Sequence, residues 1–145
     1  MKKVLFLCTG NYYRSRFAEK LFNHLAAQKK LNWQADSRGL ALERGVNNLG
    51  AISVYAIVAL KQRGINILAE ERFPKSVIAP DFQNFDLVIA VDESEHRPLM
   101  EERFLQWMNN IEYWLIHDID KTSPQEALGE LEKKVRVLIE KLIDN

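Results

Sequence analysis

The chain has 145 residues, with 20 acidic and 20 basic side chains, zero formal net charge and one cysteine. This length suits one domain over residues 1–145 with a buried core, and the balanced charge argues against a nucleic-acid-binding protein. A solitary Cys8 excludes an internal disulfide and leaves no set of thiols for a zinc site.

No apolar run approaches the ~18–20 residues that span a bilayer. Met1-Lys-Lys and the short apolar stretch after it are too short for a signal peptide. A cytoplasmic protein without membrane association is expected, in a reducing compartment that suits a free thiol.

In chain order, the apolar run Val4–Leu7 predicts a buried strand near Lys3–Leu7, and the spacing after it predicts a helix over Ser15–Lys29. Between them stands Cys8-Thr-Gly-Asn-Tyr-Tyr-Arg14-Ser15. Cys-x5-Arg alone is a weak signal, because Arg fills any position roughly one time in twenty. Its place between strand and helix makes it informative. Gly10 and Asn11 tolerate the left-handed backbone angles that let loop N–H groups converge. Such a nest beside a helix N-terminus binds anions, and Arg14 adds a planar fork matched to phosphate oxygens. The phosphate-binding candidates are therefore Thr9, Gly10, Asn11, Tyr12, Tyr13, Arg14 and Ser15. A thiol beside a helix N-terminus and a guanidinium is shifted toward thiolate, and Ser15 can donate a hydrogen bond to it.

Further strands are predicted near Gln34–Gly39, Leu87–Val91 and Tyr113–Ile116, and helices near Gly50–Arg63, Glu93–Asn109 and Pro124–Ile143. The last helix has a capping box in Ser123 and Glu126, with Pro124 at its first position. Leu128, Leu131, Val135, Leu138 and Leu142 form one core-facing stripe along it. The long polar loop Leu68–Gln83, with Arg72, Pro74 and Lys75, is expected to border the pocket. Strand–helix alternation predicts an α/β fold, a four-stranded parallel sheet with helices on both faces in a doubly wound arrangement. Ligands collect at the carboxyl ends of such strands. That rim brings His117-Asp-Ile-Asp-Lys-Thr122 to the first loop.

Val4-Leu-Phe-Leu-Cys-Thr-Gly-Asn-Tyr-Tyr-Arg-Ser15, with Phe17-Ala-Glu19 following, resembles the N-terminal signature of the low-molecular-weight protein tyrosine phosphatases. Ala35-Asp-Ser-Arg-Gly39, Ala56–Ile65 and Phe85–Glu93 resemble later segments of that family. The resemblance implies a phosphotyrosine phosphatase I-like fold and cysteine-dependent hydrolysis of phosphate monoesters through a Cys8 thiophosphate. It needs no cofactor and no metal. The implied partners are a phosphorylated protein or small aryl phosphate as substrate, with inorganic phosphate or vanadate as inhibitors.

The resemblance assigns catalysis to Cys8, Arg14 and a general acid, which falls on Asp118, with Asp120 as the alternative. Asp118 follows the strand immediately and has the shorter reach. Asn11 and Ser15 take supporting roles. Ser37 either braces the loop or is an ordinary strand-end hydroxyl. Asp92 is implied as structural, bonding to Arg14 or a loop amide. His24, His96 and His117 lack metal spacing and read as surface or capping residues.

Three departures from the family stand out. Tyr13 replaces a second cysteine, so Cys8 has no disulfide partner, which disfavours arsenate reduction. Arg16 replaces a proline, as either a rim charge favouring acidic substrates or a solvated surface residue. Asp118-Ile-Asp120 lacks the usual proline and aromatics, leaving Tyr12 and Tyr13 as the expected aromatic surface ahead of Trp33 and Trp114. The altered acid loop keeps a second reading open, a non-catalytic phosphate-binding module of the same fold.

Overall fold

The computed structural model describes residues 1–144. The first strand, β1, spans Lys2–Cys8. Val4, Leu5, Phe6 and Leu7 are all fully buried, as an apolar run covered on both faces must be. Alternation along β1 sends Val4 and Phe6 to one core and Leu5 and Leu7 to the other.

Helix α1 (Arg14–Gln28) follows, then β2 (Trp33–Gly39), α2 (Val54–Gln62) and α3 (Asp81–Asn84). The chain continues through β3 (Leu87–Ala90), α4 (Glu93–Arg103), β4 (Glu112–Tyr113) and α5 (Pro124–Ile143). The strands form a four-stranded sheet in the order β2-β1-β3-β4. All three ladders are parallel, with Val4 opposite both Ala35 and Leu87. Phe17, Leu21, Ala56, Leu128, Leu131 and Val135 cover one face, from α1, α2 and α5. Phe82, Leu99 and Met100, from α3 and α4, cover the other. The chain leaves β1 toward β2 on one side and returns as β3 on the other. The carboxyl end of β1 is therefore the switch point where such sheets bind ligands.

Several boundaries differ from the sequence expectation. Helix α2 begins at Val54, because the Ser53 side chain accepts the Tyr55 N–H only there; Gly50, with φ of 76°, belongs to the preceding turn. Helix α4 stops at Arg103, since Phe104 leaves helical angles (φ −142°, ψ 50°), and a 3-10 turn over Leu105–Trp107 replaces the expected continuation. Strand β4 is shorter and earlier than Tyr113–Ile116. Past Ala90, Trp114 and Ile116 still donate to Ala90 and Val91 carbonyls, at 2.9 and 2.8 Å. Leu115 there makes an antiparallel bridge to Asp92. Helix α5 runs as expected, with Ser123 accepting the Glu126 N–H at 3.2 Å. Among the described residues no helix is long and apolar enough to cross a membrane, and no group of three or more His, Cys, Asp or Glu is placed to hold a metal.

Candidate active site

Cys8 ends β1, and the loop that follows is tied to the chain leaving β2. Leu40 N–H donates to the Cys8 carbonyl and Ala41 N–H to the Thr9 carbonyl, each at 2.9 Å. This close approach explains Gly39. A Cβ there would lie 2.9 Å from the Thr9 carbonyl oxygen and 3.2 Å from Asn11 Cβ. The left-handed turn falls on Asn11 (φ 51°), whereas Gly10 keeps ordinary angles.

Asn11 is fully buried, and its amide uses all of its bonding capacity. Nδ2 donates to Ser15 Oγ (2.9 Å) and to Ser37 Oγ (2.8 Å). Oδ1 accepts from Arg72 Nη1 (2.9 Å) and from the Lys75 N–H (3.0 Å). These bonds orient the hydroxyls. Ser15 Oγ accepts from Asn11, so its proton is free to point at Cys8 Sγ, 2.9 Å away. Ser37 Oγ donates to Glu19 Oε1 at 2.5 Å. The structure thus links Cys8, Ser15, Asn11, Ser37 and Glu19 in one buried network, closed from outside by Arg72.

Arg14, 2 % exposed, opens α1 and extends beneath the loop. Nη1 donates to the Ile116 carbonyl (2.9 Å) and lies 3.5 Å from Asp92 Oδ2. Nη2 faces Glu95 Oε2 at 2.7 Å and Asp118 Oδ2 at 3.5 Å. Burial works against the cation, but facing Cys8, Asp118 and Glu95 outweigh it and raise the Arg14 pKa above its ordinary value. Asp92 is likewise buried at a cost. Hydrogen bonds from Ser94 and His117, together with the nearby positive charge, overcome that burial and lower its carboxyl pKa.

His96 takes the capping role of its two expected ones, since its ring accepts the N–H of Asp92, the N-cap residue of α4, but it is fully buried and not at the surface. The cause is α4, which turns it under the loop. Its Nδ1 accepts the Asp92 N–H at 3.1 Å, so the proton of the neutral ring sits on Nε2, 3.2 Å from Thr9 Oγ1. Burial first, and Arg14 second, push its pKa from 6.5 down to about 3. The folded protein therefore holds this ring neutral while the unfolded chain protonates it below pH 6.5. Its stabilising contribution is fully present above pH 6.5 and is lost as pH falls toward 3. Urea unfolding should lose about 2 kcal/mol from this group between pH 6.5 and 5. The slope should flatten in His96→Gln; an unchanged slope in that variant would refute the assignment.

A cleft of about 250 Å³ opens over the loop, lined by Cys8, Thr9, Gly10, Tyr12, Tyr13, Arg14 and Asp118. Asn48, Ser53, Tyr55 and Ile119 complete its wall. Asp120 is exposed and does not reach this lining. Asp118 accepts the Ile119 N–H on Oδ1 (2.8 Å), leaving Oδ2 toward Arg14. His117 turns away from its neighbour Asp118 to Asp92 (Nδ1 to Oδ2, 3.0 Å). His24 is half-buried on α1.

Two expectations about the loop's neighbours change. Arg16 is neither a rim charge nor a surface residue: it is fully buried, donating to the Arg72 carbonyl and to Glu71 Oε2, both at 2.8 Å. The loop 68–83 folds over it. Tyr13 is only 8 % exposed, and burial first, then Asp118, pushes its phenol pKa up to about 12. The accessible aromatic surface comes from Tyr12, whose hydroxyl donates to the Leu49 carbonyl at 2.6 Å, and from the 49 % exposed Tyr55. Trp114 is core, packed against Phe6, and Trp33 lies against the same core. Sequence reasoning misses Glu19, Glu95 and Tyr55. For Glu95 a signal exists, since three residues past Asp92 on the first turn of α4 is the same rim.

The sequence matches the family model for low molecular weight phosphotyrosine protein phosphatase over residues 3–145. It is 32 % identical over 110 residues to the low molecular weight phosphotyrosine protein phosphatase of Gallus gallus, covering 68 % of this chain and 60 % of that protein. The Sus scrofa protein of the same name is 34 % identical over 101 residues, with 68 % of this chain and 60 % of that protein covered. The matched region therefore spans about 60 % of the length of these curated relatives. Among solved structures, YfkJ from Bacillus subtilis superposes with a TM-score of 0.82 at 24 % identity, covering 99 % of this chain and 96 % of YfkJ. The low molecular weight protein tyrosine phosphatase from T. tengcongensis gives 0.75 at 25 %, with 99 % of each chain covered. With a full-length family match, this sheet order and this loop, the chain belongs to the low molecular weight phosphotyrosine protein phosphatase family.

Proposed function

We propose that this chain hydrolyses phosphate monoesters, with protein phosphotyrosine as the substrate class, through a thiophosphate on Cys8. One observation carries the reading: the Cys8 thiol faces a hydroxyl proton aimed at it by Asn11, in a cleft that also holds Arg14 and Asp118. Ser15 Oγ lies 2.9 Å from Sγ, within hydrogen-bond reach of the attacking sulfur. The thiolate attacks phosphorus while the bond from phosphorus to the ester oxygen breaks. Arg14 and the loop hold the phosphate oxygens as their charge redistributes. Asp118 gives its proton to the departing oxygen. Water then attacks the thiophosphate, Asp118 takes the water's proton, and the S–P bond breaks to return thiolate and inorganic phosphate. The names of the relatives support phosphotyrosine, and Tyr12 and Tyr55 offer its ring two aromatic neighbours at the mouth.

The test is turnover of phenyl phosphate and para-nitrophenyl phosphate, with the covalent intermediate sought by rapid quench and intact mass. Asp118→Ala should lower phenyl phosphate turnover by about 10²–10³-fold. Para-nitrophenyl phosphate should suffer less, because its leaving group needs little protonation. Asp120→Ala should stay within about twofold of the parent, as an exposed surface change does. The reverse pattern would transfer the acid role to Asp120, and absence of turnover on both esters would refute the reading.

A further inference from the structure

Arg14 presents two edges. The Nη1 side is anchored to the fold through the Ile116 carbonyl and Asp92. The other edge, formed by Nε and Nη2, is the fork that takes two oxygens of a tetrahedral anion. On that edge Nε is buried and has no hydrogen-bond partner among the described residues. Nη2, in contrast, faces Glu95 at 2.7 Å and Asp118 at 3.5 Å. Half of the anion fork therefore faces carboxylates of the protein itself as ion pairs, and Glu95 Oε2, like Arg14 Nε, has no hydrogen-bond partner among the described residues.

Glu95 is placed there by a chain of donors with one possible direction. Asp92 N–H donates to His96 Nδ1, which puts the ring proton on Nε2 and aims it at Thr9 Oγ1. Thr9 has then filled an acceptor position and donates its own proton to Glu95 Oε1 at 2.9 Å. The remaining oxygen, Oε2, goes to Arg14. Thr9 is a loop residue lining the cleft, so this relay runs from α4 through the phosphate loop to its arginine.

We propose that Glu95 is an intramolecular competitor of phosphate for Arg14, a positioning residue that weakens the hold on substrate and on inorganic phosphate product. A dianion in the loop must either share Nη2 with Glu95 or displace it, and in both cases it meets a negative charge across one guanidinium. Arg14 does not need Glu95 to stay in place, because Ile116 and Asp92 hold its other edge. Removing the charge should therefore tighten anion binding instead of loosening it. The inference rests on the phosphate-binding part of the proposed function and on none of its chemical steps.

Isothermal titration with inorganic phosphate on the full chain, alongside Glu95→Gln and Glu95→Ala, tests it. Both variants should bind phosphate roughly tenfold more tightly, the effect expected of one close charge in a partly screened site. KM for para-nitrophenyl phosphate should fall in parallel, with no rise in kcat. A purely structural Glu95 would give the opposite sign, so weaker or unchanged phosphate binding overturns the proposal. So does phosphate binding to none of the three proteins, or loss of the folded melting transition in both variants. Tighter phosphate binding without turnover of any ester would uphold Glu95 as competitor and refute the catalytic reading. Turnover with unchanged phosphate affinity would do the reverse.

Discussion

Cys8→Ser should abolish turnover of aryl phosphates, by about 10⁴-fold or more, while phosphate binding survives. The two effects separate because the residue's two surroundings do different work. In the proposed function the anion is held by the loop, by the start of α1 and by Arg14, whose guanidinium is anchored through Ile116 and Asp92. None of these contacts depends on sulfur. The chemistry does, since a hydroxyl is not ionised near neutral pH and cannot form the thiophosphate. The Ser15 hydroxyl oriented by Asn11 then faces a second hydroxyl in place of sulfur. Steady-state kinetics with para-nitrophenyl phosphate, and titration with inorganic phosphate, measure the two halves. Activity within tenfold of the parent in Cys8→Ser would exclude the thiol as nucleophile.

Asn11→Ala should be the most destabilising single change in the loop, by about 3–5 kcal/mol. Four hydrogen bonds end on this amide. Its removal leaves the Lys75 N–H without its buried acceptor, takes one bond from each of the Ser15 and Ser37 hydroxyls, and frees Arg72 Nη1 on one side. A second cost is conformational, because φ of 51° suits Asn or Gly but strains Ala. Asn11→Gly separates the two. It removes the hydrogen bonds but not the backbone fit, and should be roughly 1 kcal/mol less destabilising than Asn11→Ala. For a chain of this size the Ala variant should melt about ten degrees lower. Its turnover should fall too, since Ser15 loses the bond that orients its proton. Equal stability of the Ala variant and the parent would mean that the network contributes nothing to the fold.

Local signals carry far in this chain. The strand Val4–Leu7, the loop from Cys8 to Arg14 and the start of α1 are adjacent in sequence, and their chemistry is set by neighbours a few residues away. The cap and stripe of α5 are legible for the same reason. Helix ends are less so. Helix α2 starts at Val54 and α4 ends at Arg103 because of a cap and a backbone break that composition does not mark.

The amino-acid order by itself determines that β1 is buried on both faces, that a Cys-x5-Arg loop follows it, and that its lone thiol has no disulfide partner in the chain. Tertiary structure decides which polar side chains converge on that loop. Arg16 reads as a rim charge or a solvated surface residue, yet it is fully buried beneath the loop bearing Glu71 and Arg72. His96 reads as a surface or capping residue, yet α4 turns it under Thr9 and buries it completely. Glu95 faces Arg14 across a separation of 81 positions because the parallel sheet brings the ends of β1 and β3 to one rim. Burial of a charge depends on partners from distant elements, and pairing across elements is a property of topology, which no local pattern encodes.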